Sequence, residues 1–289
     1  MDVELRHLRA LVAIGDSRTI TEAAAALHMS QPALSRTLEQ LERRLGTSLV
    51  ERTTRHLALT QPGQRLWEHA HRILNQVDEA LTDATSAGRR HLRVGFPWAA
   101  LGRHTVPLLR AWHEKHPDTV LDVRRCDDPE ASTRRGQVDV AFLRTRPPDD
   151  LECLSLFSEP RVAAVPDGDA LADRPDLSLS DLAHRTVALC TIASTTAVDL
   201  WPSGHRPRVL DVPGVDEWLT MIATGATVGV TTQATEHSHP HPGVRYLPLR
   251  DAPPVEVHLI WPAVPSHPAT ADFVNHTRRQ AAPDTTTSG

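Results

Sequence analysis

Apolar side chains recur at helical spacing in two stretches near the start of the chain. The first stretch, residues 4–15, places on one face Leu5, Leu8, Leu11, Val12 and Ile14. The second stretch follows Ser30 and places on one face Leu34, Leu38, Leu41 and Leu45. Steps of three and four residues are typical of a helix that buries one side. The pattern therefore predicts two amphipathic helices.

Capping signals indicate where helices begin and end in this region. Thr19 and Glu22 form a T-x-x-E capping box, in which each side chain bonds the other residue's backbone N–H. This box opens a short alanine-rich helix between the two amphipathic ones. Ser30 offers a second cap, and Pro32 suits a first helical turn. Gly46 suits the left-handed position just after a helix.

Two helices joined by a tight turn, the second with a polar outer face, predict a helix-turn-helix. That polar face consists of Gln31, Ser35, Arg36 and Gln40. Gln and Arg side chains make paired hydrogen bonds to base edges in the major groove. Two short apolar segments, 49–50 and 57–60, then bracket the basic stretch 51–56, which predicts a two-stranded wing that grips phosphate. The alternative is a plain helical hairpin with solvated polar residues.

In combination, these residues resemble the LysR-type transcriptional regulators. The segments that match are Thr21–Leu27, Ser30–Arg36, Leu41–Gly46 and Leu59–Gly63. The resemblance implies base or backbone contacts for Gln31, Pro32, Ser35 and Arg36, and it places Arg52 and Arg55 in the wing. Together with Ser30 and Gln40 on the same helix, these are the candidate DNA-binding residues.

Two departures from the family pattern affect the wing. Val50 stands where the family usually has Phe, and because it stays apolar we expect altered wing packing rather than altered DNA contact. Arg55-His56 stand where the family frequently has Gly, which leaves the conformation of that turn open.

A long stretch without Pro or Gly follows Gly63 and extends to Ala87. Its apolar positions are spaced by three or four residues, at Leu66, Ala70, Ile73, Val77 and Leu81. This spacing predicts a coiled-coil seam, which a second copy of the chain would bury. The resemblance implies the same, because the family uses this helix as its dimer interface and commonly forms homotetramers. The alternative is packing onto its own chain. Residues 88–91 are interpreted as a hinge.

Beyond residue 91 short apolar strands alternate with helical stretches. The candidate strands are 92–95, 120–124, 138–143, 161–165, 187–190, 209–212, 227–231, 244–249 and 255–261. The candidate helices are 104–115, 216–224 and 269–279. Such alternation favours α/β layers with largely parallel sheets.

This part resembles the LysR-type effector domain, which implies the fold of periplasmic solute-binding proteins. The best-matching segments are 92–95, 136–141 and 222–230. The predicted architecture is a mostly α winged helix-turn-helix domain at 1–60, a linker helix and hinge at 61–91, an α/β effector domain at 92–281 and a disordered tail at 282–289. Two subdomains of the effector domain would enclose a cleft, one formed by 92–160 with 265–281 and the other by 161–264.

Small molecules bind such folds at the carboxyl ends of strands. The candidate effector-binding residues at those ends are Phe96, Trp98, Ala99, Asp127, Arg144, Thr191 and Ser194. Many family members have Ser or Thr near position 99, but the segment 97–100 has no hydroxyl here, which argues against a simple carboxylate effector and for an aromatic wall. The alternatives are subdomain packing for Trp98 and a surface ion pair for Arg144.

Composition limits the partners. A chain of 289 residues, 40% of them hydrophobic, suits a small domain plus a larger one. The net charge of −5 argues against a wholly basic nucleic-acid binder, but residues 1–90 carry +1 and the rest carries −6. We find no run of eighteen apolar residues and no signal-like start, so we expect a cytoplasmic protein that does not contact membranes.

Other chemistries have weaker support. Cys126, Cys153 and Cys190 lie far apart, which favours reduced thiols over zinc or a redox pair, with a switch between distant cysteines as the alternative. Three alternating histidines, His237, His239 and His241, are potential metal ligands, but their Pro-bearing segment resembles an exposed loop, so we expect no metal site.

The sequence has no P-loop, G-x-G-x-x-G or G-x-S-x-G motif, so we expect neither an enzyme nor a cofactor. The remaining alternative is a solute-binding module with a vestigial DNA domain, against which Arg36, Arg52 and Arg55 argue. We expect a sequence-specific transcriptional regulator controlled by a small-molecule effector. Its partners would be double-stranded DNA, further copies of the chain, the effector and RNA polymerase.

Overall fold

The computed structural model describes residues 3–52, 57–85, 91–192 and 195–281. The chain divides into two compact units, one of Met1–Arg90 with Arg134–Gln137 and one of His91–Thr133 with Val138–Gly289. Five predictions lie wholly or partly outside the described residues: the wing tip with Arg55, the side chain of Arg52, residues 88–90 of the predicted hinge at 88–91, Ser194 and the tail 282–289. The last residue of that hinge, His91, begins a strand instead.

The first unit is mainly helical, as predicted. It consists of helices α1 (Leu5–Asp16), α2 (Ile20–Ala26), α3 (Gln31–Leu45) and α4 (Gln61–Thr85), with strands β1 (Val50–Arg52) and β2 (Leu57–Leu59) between α3 and α4. The strands pair antiparallel and form the predicted wing. Leu34, Leu38 and Leu41 are fully buried against α1 and α2, which confirms the predicted apolar face of α3.

Helix ends follow the capping signals only in part. Thr19 Oγ1 accepts from the backbone N–H of Glu22 at 3.2 Å, but the Glu22 carboxylate accepts from the N–H of Arg18 at 3.0 Å. The predicted bond back to Thr19 is therefore wrong. Ser30 is the residue before α3, but its side chain makes no capping bond. Gly46 ends α3 with φ of 67°, the left-handed conformation that glycine adopts without strain.

Helix α4 packs against α1 along its first half. Leu66 and Trp67 contact the core of the first unit, and Ala70 is fully buried. Asp16 Oδ1 accepts from Trp67 Nε1 at 3.0 Å and lies 3.1 Å from His71 Nε2. Leu66 and Ala70, the first two positions of the predicted coiled-coil seam, therefore pack on their own chain. Such packing was the alternative interpretation of the whole seam, and it holds for this part.

The second unit contains two five-stranded sheets. The first sheet comprises β3 (His91–Phe96), β4 (Val120–Arg125), β5 (Val140–Leu143), β6 (Leu151–Glu159) and β12 (Val255–Pro262), in the order β4-β3-β5-β12-β6. Helices α5 (Thr105–Lys115) and α10 (Thr270–Ala281) pack on it through Trp112 and Phe273. A short helix, α6 (Pro129–Arg134), follows β4.

The second sheet comprises β7 (Arg161–Pro166), β8 (Thr186–Cys190), β9 (Arg208–Val212), β10 (Val228–Thr232) and β11 (Val244–Pro248), in the order β11-β7-β10-β8-β9. Helix α7 (Leu179–Leu182) and buried Trp201 contribute to one core of this sheet, and α8 (Val215–Ala223) contributes Trp218 to the other. Helix α9 (Gln233–Ser238) follows β10.

Three expectations about the second unit need correction. Both sheets are mixed rather than largely parallel, because β12 is antiparallel to its neighbours β5 and β6, and β7 is antiparallel to β10 and β11. Strand β6 was not predicted. The predicted end of the second subdomain at residue 264 is also wrong. Strand β12 belongs to the first sheet, so the chain crosses back to the first subdomain between β11 and β12.

Candidate DNA-binding surface and effector cleft

Helix α3 presents a polar face to solvent while its opposite face lies in the core. Gln31, Pro32, Arg36 and Gln40 are exposed, as is Ser30 just before the helix. Ser35 is half-buried. The predicted contact residues of this helix therefore share a surface that another molecule can approach, and they are not inside the protein body.

The turn between α2 and α3 depends on small or unusual residues. Ala23 and Ala24 are buried, and their short side chains let the two helices cross closely. His28 adopts φ of 53° in the turn, a left-handed conformation uncommon for a residue other than glycine.

A carboxylate on α3 fixes the wing, and sequence reasoning missed it. Glu42 Oε1 accepts hydrogen bonds from Leu49 N at 2.7 Å, Val50 N at 3.3 Å and Ser48 Oγ at 3.2 Å. Val50, which replaces the usual Phe, is 5% exposed and packs in the core. The signal available in the sequence was Glu42 itself, an acidic residue one turn before a helix end, where cations are favoured.

Glycine is required where α4 begins beside the wing. A Cβ atom on Gly63 would lie 1.9 Å from the carbonyl oxygen of Leu49, which no side chain can occupy. The Thr60 hydroxyl accepts from Gly63 N at 3.0 Å and donates to Ser48 O at 2.8 Å. The Leu59–Gly63 segment therefore joins the wing to α4 through close backbone contact.

A cavity of about 550 Å³ lies at the carboxyl ends of strands in both sheets of the second unit. Four of the predicted effector residues line it, namely Trp98, Asp127, Arg144 and Thr191. Two others do not. Phe96 is 3% exposed and stacks on Phe142 with ring centroids 4.8 Å apart, and Ala99 is 1% exposed. Both side chains belong to the interior, so we remove them from the candidate contacts.

Trp98 is both a wall of the cavity and a packing residue between the sheets. Its ring stacks on His239 at 5.3 Å between centroids and meets Trp218 edge to face at 5.9 Å. His239 Nε2 lies 2.9 Å from the Trp98 carbonyl oxygen. Since Trp218 packs on the second sheet and Trp98 follows β3 of the first, this indole links the two subdomains.

Arg144 is part of a buried ion pair rather than a surface one. Its Nε donates to Glu159 Oε2 and its Nη2 donates to Ala100 O, both at 2.7 Å. The two charged side chains are 5% and 6% exposed. Glu159 Oε1 also accepts from Ala234 N at 2.8 Å, which connects the pair to α9. The charge of Arg144 is therefore already balanced inside the protein.

In the part of the chain that the structure describes, no group of three or more His, Cys, Asp or Glu side chains could hold a metal ion. His239 is instead engaged with Trp98. Across the same described residues, no helix is both long and apolar enough to cross a bilayer.

Two family models match the chain. "Bacterial regulatory helix-turn-helix protein, lysR family" matches residues 5–64, and "LysR substrate binding domain" matches residues 86–282. The second match alone covers more than half of the chain.

Curated relatives agree with these matches. The uncharacterized HTH-type transcriptional regulator YnfL of Escherichia coli is 35% identical over 193 residues, which is 63% of this chain and 64% of that protein. The Hca operon transcriptional activator HcaR of the same organism is 28% identical over 285 residues, 94% of this chain and 96% of that protein.

Solved structures show the same fold. CbnR, a LysR family transcriptional regulator, aligns with a TM-score of 0.68 and 23% identity, covering 96% of this chain and 99% of that one. Full-length CbnR complexed with its target DNA aligns with a TM-score of 0.67 and 23% identity, covering 96% and 100%. The chain belongs to the LysR family of DNA-binding transcriptional regulators, which are not enzymes, and has the family's helix-turn-helix and effector-binding domains.

Proposed function

We propose that this regulator binds a specific operator sequence by inserting α3 into the major groove. The observation that supports the proposal most directly is the exposed polar face of α3, which backs onto fully buried Leu34, Leu38 and Leu41. A helix anchored in this way enters the groove as a rigid element, so its side chains meet base edges in a fixed register.

Each side chain on this surface has its own proposed role. Gln31 and Arg36 make paired hydrogen bonds to bases, and Ser30, Pro32, Ser35 and Gln40 position the helix against the backbone. Arg52 and Arg55, in the wing, contact phosphate and strengthen binding to any sequence. Arg55 and the side chain of Arg52 lie outside the described residues, so both roles are inferred from sequence alone.

The proposed regulator is a cytoplasmic homodimer that associates further into a tetramer. The dimer forms along the second half of α4, where Ile73 is 40% exposed, Leu81 is 61% exposed and Val77 is half-buried. An apolar stripe exposed to water is stabilised by burial against a second copy. A dimer would present two recognition helices to half-sites about 34 Å apart.

An effector in the cavity between the two sheets would shift the equilibrium between subdomain arrangements. Trp98 and the Arg144–Glu159 pair connect the subdomains at this cavity, so a ligand that binds one arrangement more tightly favours it. The expected consequence is a change in half-site spacing and DNA bending, and hence in the access of RNA polymerase to the promoter.

The proposal is tested by gel retardation of the DNA that flanks the regulator's own gene. We expect retardation of that fragment at concentrations at which a shuffled fragment of the same composition runs free. Equal retardation of both fragments would contradict a sequence-specific regulator, since phosphate contacts alone do not distinguish them.

A further inference from the structure

The first unit contains a four-residue segment from later in the chain, Arg134–Gln137. This 134–137 segment begins with the last residue of α6 and leads toward β5. Within it Gly136 adopts φ of 67°, the left-handed conformation that glycine adopts without strain. Such a glycine commonly lies just after a helix, where it turns the chain. The segment therefore leaves α6 in a direction that its backbone fixes.

The 134–137 segment packs on helix α4 through three contacts. The guanidinium carbon of Arg135 lies 4.9 Å from the centre of the Trp67 ring, and both side chains are half-buried. The Asn75 side chain donates to the Arg135 carbonyl oxygen at 2.8 Å. A Cβ atom on Gly136 would lie 3.6 Å from Arg72 Cγ, so the backbone there is already close to the helix. An indole ring attracts a cation over its face, more strongly where water is partly excluded.

Trp67 connects this contact to the DNA-binding helices. Its Nε1 donates to Asp16 Oδ1 at 3.0 Å, and its ring meets His71 edge to face at 4.8 Å between centroids. His71 Nε2 lies 3.1 Å from the same Asp16 oxygen. Asp16 is the last residue of α1, and α1 packs on α3 in the core of the first unit. A change in the position of Trp67 therefore reaches the helix that supports α3.

The opposite end of α6 lies at the cavity between the two sheets of the second unit. Its first two residues, Pro129 and Glu130, line that cavity. Within the helix Thr133 Oγ1 donates to Pro129 O at 2.7 Å, and Asp128 Oδ1 accepts from Ala131 N at 2.9 Å. Six helical residues span about 9 Å. A ligand against Pro129 would thus contact one end of a short, internally bonded helix whose other end enters the 134–137 segment.

We propose that the contact of Arg135 with Trp67 couples ligand binding in the cavity to DNA binding by the first unit. The inference rests on the proposed function, because it names how the same cavity regulates α3. Packed side chains and hydrogen bonds carry energetic coupling between distant sites. A ligand that shifts α6 changes how Arg135 lies on Trp67, and so changes the bonds of Trp67 to α1. Because coupling is reciprocal, DNA bound at α3 must also alter α6.

Hydrogen–deuterium exchange tests this reciprocity with DNA as the only added ligand. Full-length wild-type protein is compared with and without the DNA that flanks its own gene, at concentrations at which gel retardation shows complete binding. We expect amide exchange in residues 129–134 to slow about threefold or more in the complex. The reason is that bound DNA orders α1 and α4, so the segment packed on α4 opens less often. Unchanged exchange in fully bound wild-type protein would overturn the proposal.

Three variants assign the coupling to Arg135. Arg135→Ala removes the cation from the Trp67 ring and leaves α3 unchanged, so we expect it to bind the same DNA without slower exchange in residues 129–134. Arg135→Lys keeps a cation above the ring and should retain at least about half of the slowing. The matched control, Arg110→Ala, removes an exposed arginine from α5 and should retain all of it.

Three outcomes would overturn this assignment. Full slowing in Arg135→Ala would show that the coupling does not depend on Arg135. An equal loss of slowing in Arg110→Ala would show that any lost arginine has the same effect. An equal loss in Arg135→Lys and Arg135→Ala would exclude the cation over the Trp67 ring as the cause.

DNA retardation distinguishes a failure here from a failure of the proposed function. If wild-type protein retards its own flanking DNA in preference to the shuffled fragment, but exchange in residues 129–134 does not change, the coupling inference is wrong and the proposed function stands. If both fragments are retarded equally, the sequence-specific function fails. Slower exchange that requires Arg135 would then still support the coupling, because it needs bound DNA but not a specific sequence.

Discussion

At the scale of single residues, Glu42 shows how one side chain sets the position of the wing. Its Oε1 accepts from the backbone N–H groups of two buried residues, Leu49 and Val50. Replacing Glu42 with Ala leaves both donors without this acceptor, so we expect the free energy of unfolding to fall by about 1–3 kcal/mol. Urea denaturation measures this loss. Glu42→Gln keeps a side-chain oxygen that can accept from both N–H groups, so its free energy of unfolding should stay close to that of wild type. An equal loss of unfolding free energy in Glu42→Gln and Glu42→Ala would show that the charge matters more than the acceptor.

Arg36 is the residue on which base preference should depend most. Arg36→Ala is expected to cost about 1–3 kcal/mol in operator binding and to relax base preference at one position. Fluorescence anisotropy on operator and scrambled duplexes measures both effects. Arg110→Ala removes an exposed arginine from α5 in the second unit and is the control. If Arg36→Ala weakens both duplexes equally, Arg36 contacts phosphate rather than a base.

Asp139 makes stability depend on pH. It forms a buried ion pair with Arg93 at 2.7 Å and also accepts from the Ser266 hydroxyl. Burial raises the pKa of Asp139, but the hydrogen bonds and charge of Arg93 outweigh this and hold the pKa below its ordinary value. Because the folded pKa is the lower one, the stabilisation is present above the unfolded pKa near 3.8 and is lost as pH falls through the folded pKa.

We expect Asp139→Asn to cost about 3–5 kcal/mol at neutral pH, because it leaves Arg93 buried without its counter-ion. The difference from wild type should shrink as pH falls below about 4. Urea midpoints measured across the acidic range test this. A difference that stays constant down to the acid limit would exclude Asp139 as the titrating group.

At the scale of secondary-structure elements, α4 has two functions along its length. Its first half packs on α1, while Ile73 and Leu81 of its second half are exposed. Ile73→Glu with Leu81→Glu places charge in the proposed dimer seam, so we expect the dimer to dissociate in sedimentation velocity while helicity persists. Thr82→Glu, an exposed position away from the seam, is the control. Persistence of the dimer in the double variant would move the interface elsewhere.

Most elements could be predicted because their signals are local. Helices α1, α3, α5, α8 and α10 follow apolar spacing, and most strands are short apolar runs between turns. Strand β6 was missed because a bulge in its pairing with β12 disrupts the alternation. Ser155 pairs with His258 and Phe157 with Val257, so Leu156 is extra, and Leu154, Leu156 and Phe157 all contact the core.

The remaining errors concern partners distant in sequence. Strand β12 was placed in the second subdomain because it follows β11, whereas its actual neighbours, β5 and β6, lie roughly a hundred residues earlier. Likewise, Leu66 and Ala70 fit a dimer seam in the sequence, but α1 supplies a nearer surface for the first half of α4. Spacing along the chain shows that a face is apolar but not which surface covers it.

At the scale of the whole molecule, the sequence predicted the order of domains and much of the candidate site. Trp98, Asp127, Arg144 and Thr191 line one cavity because parallel strands bring their carboxyl ends together. It could not predict that Arg144 is neutralised by Glu159, fifteen residues away on β6. That pairing balances the charge of Arg144 inside the protein, so the side chain is already engaged where the sequence left it available to a ligand.

The central claim, that the outer face of α3 docks in the major groove, is tested most directly by methylation protection of bound operator DNA. Guanine N7 lies in the major groove, so dimethyl sulfate reports its occupancy. We predict two protected clusters about 34 Å apart along the duplex, with specific guanines losing protection in Arg36→Ala. Retarded DNA whose guanine N7 atoms all stay reactive would contradict the account.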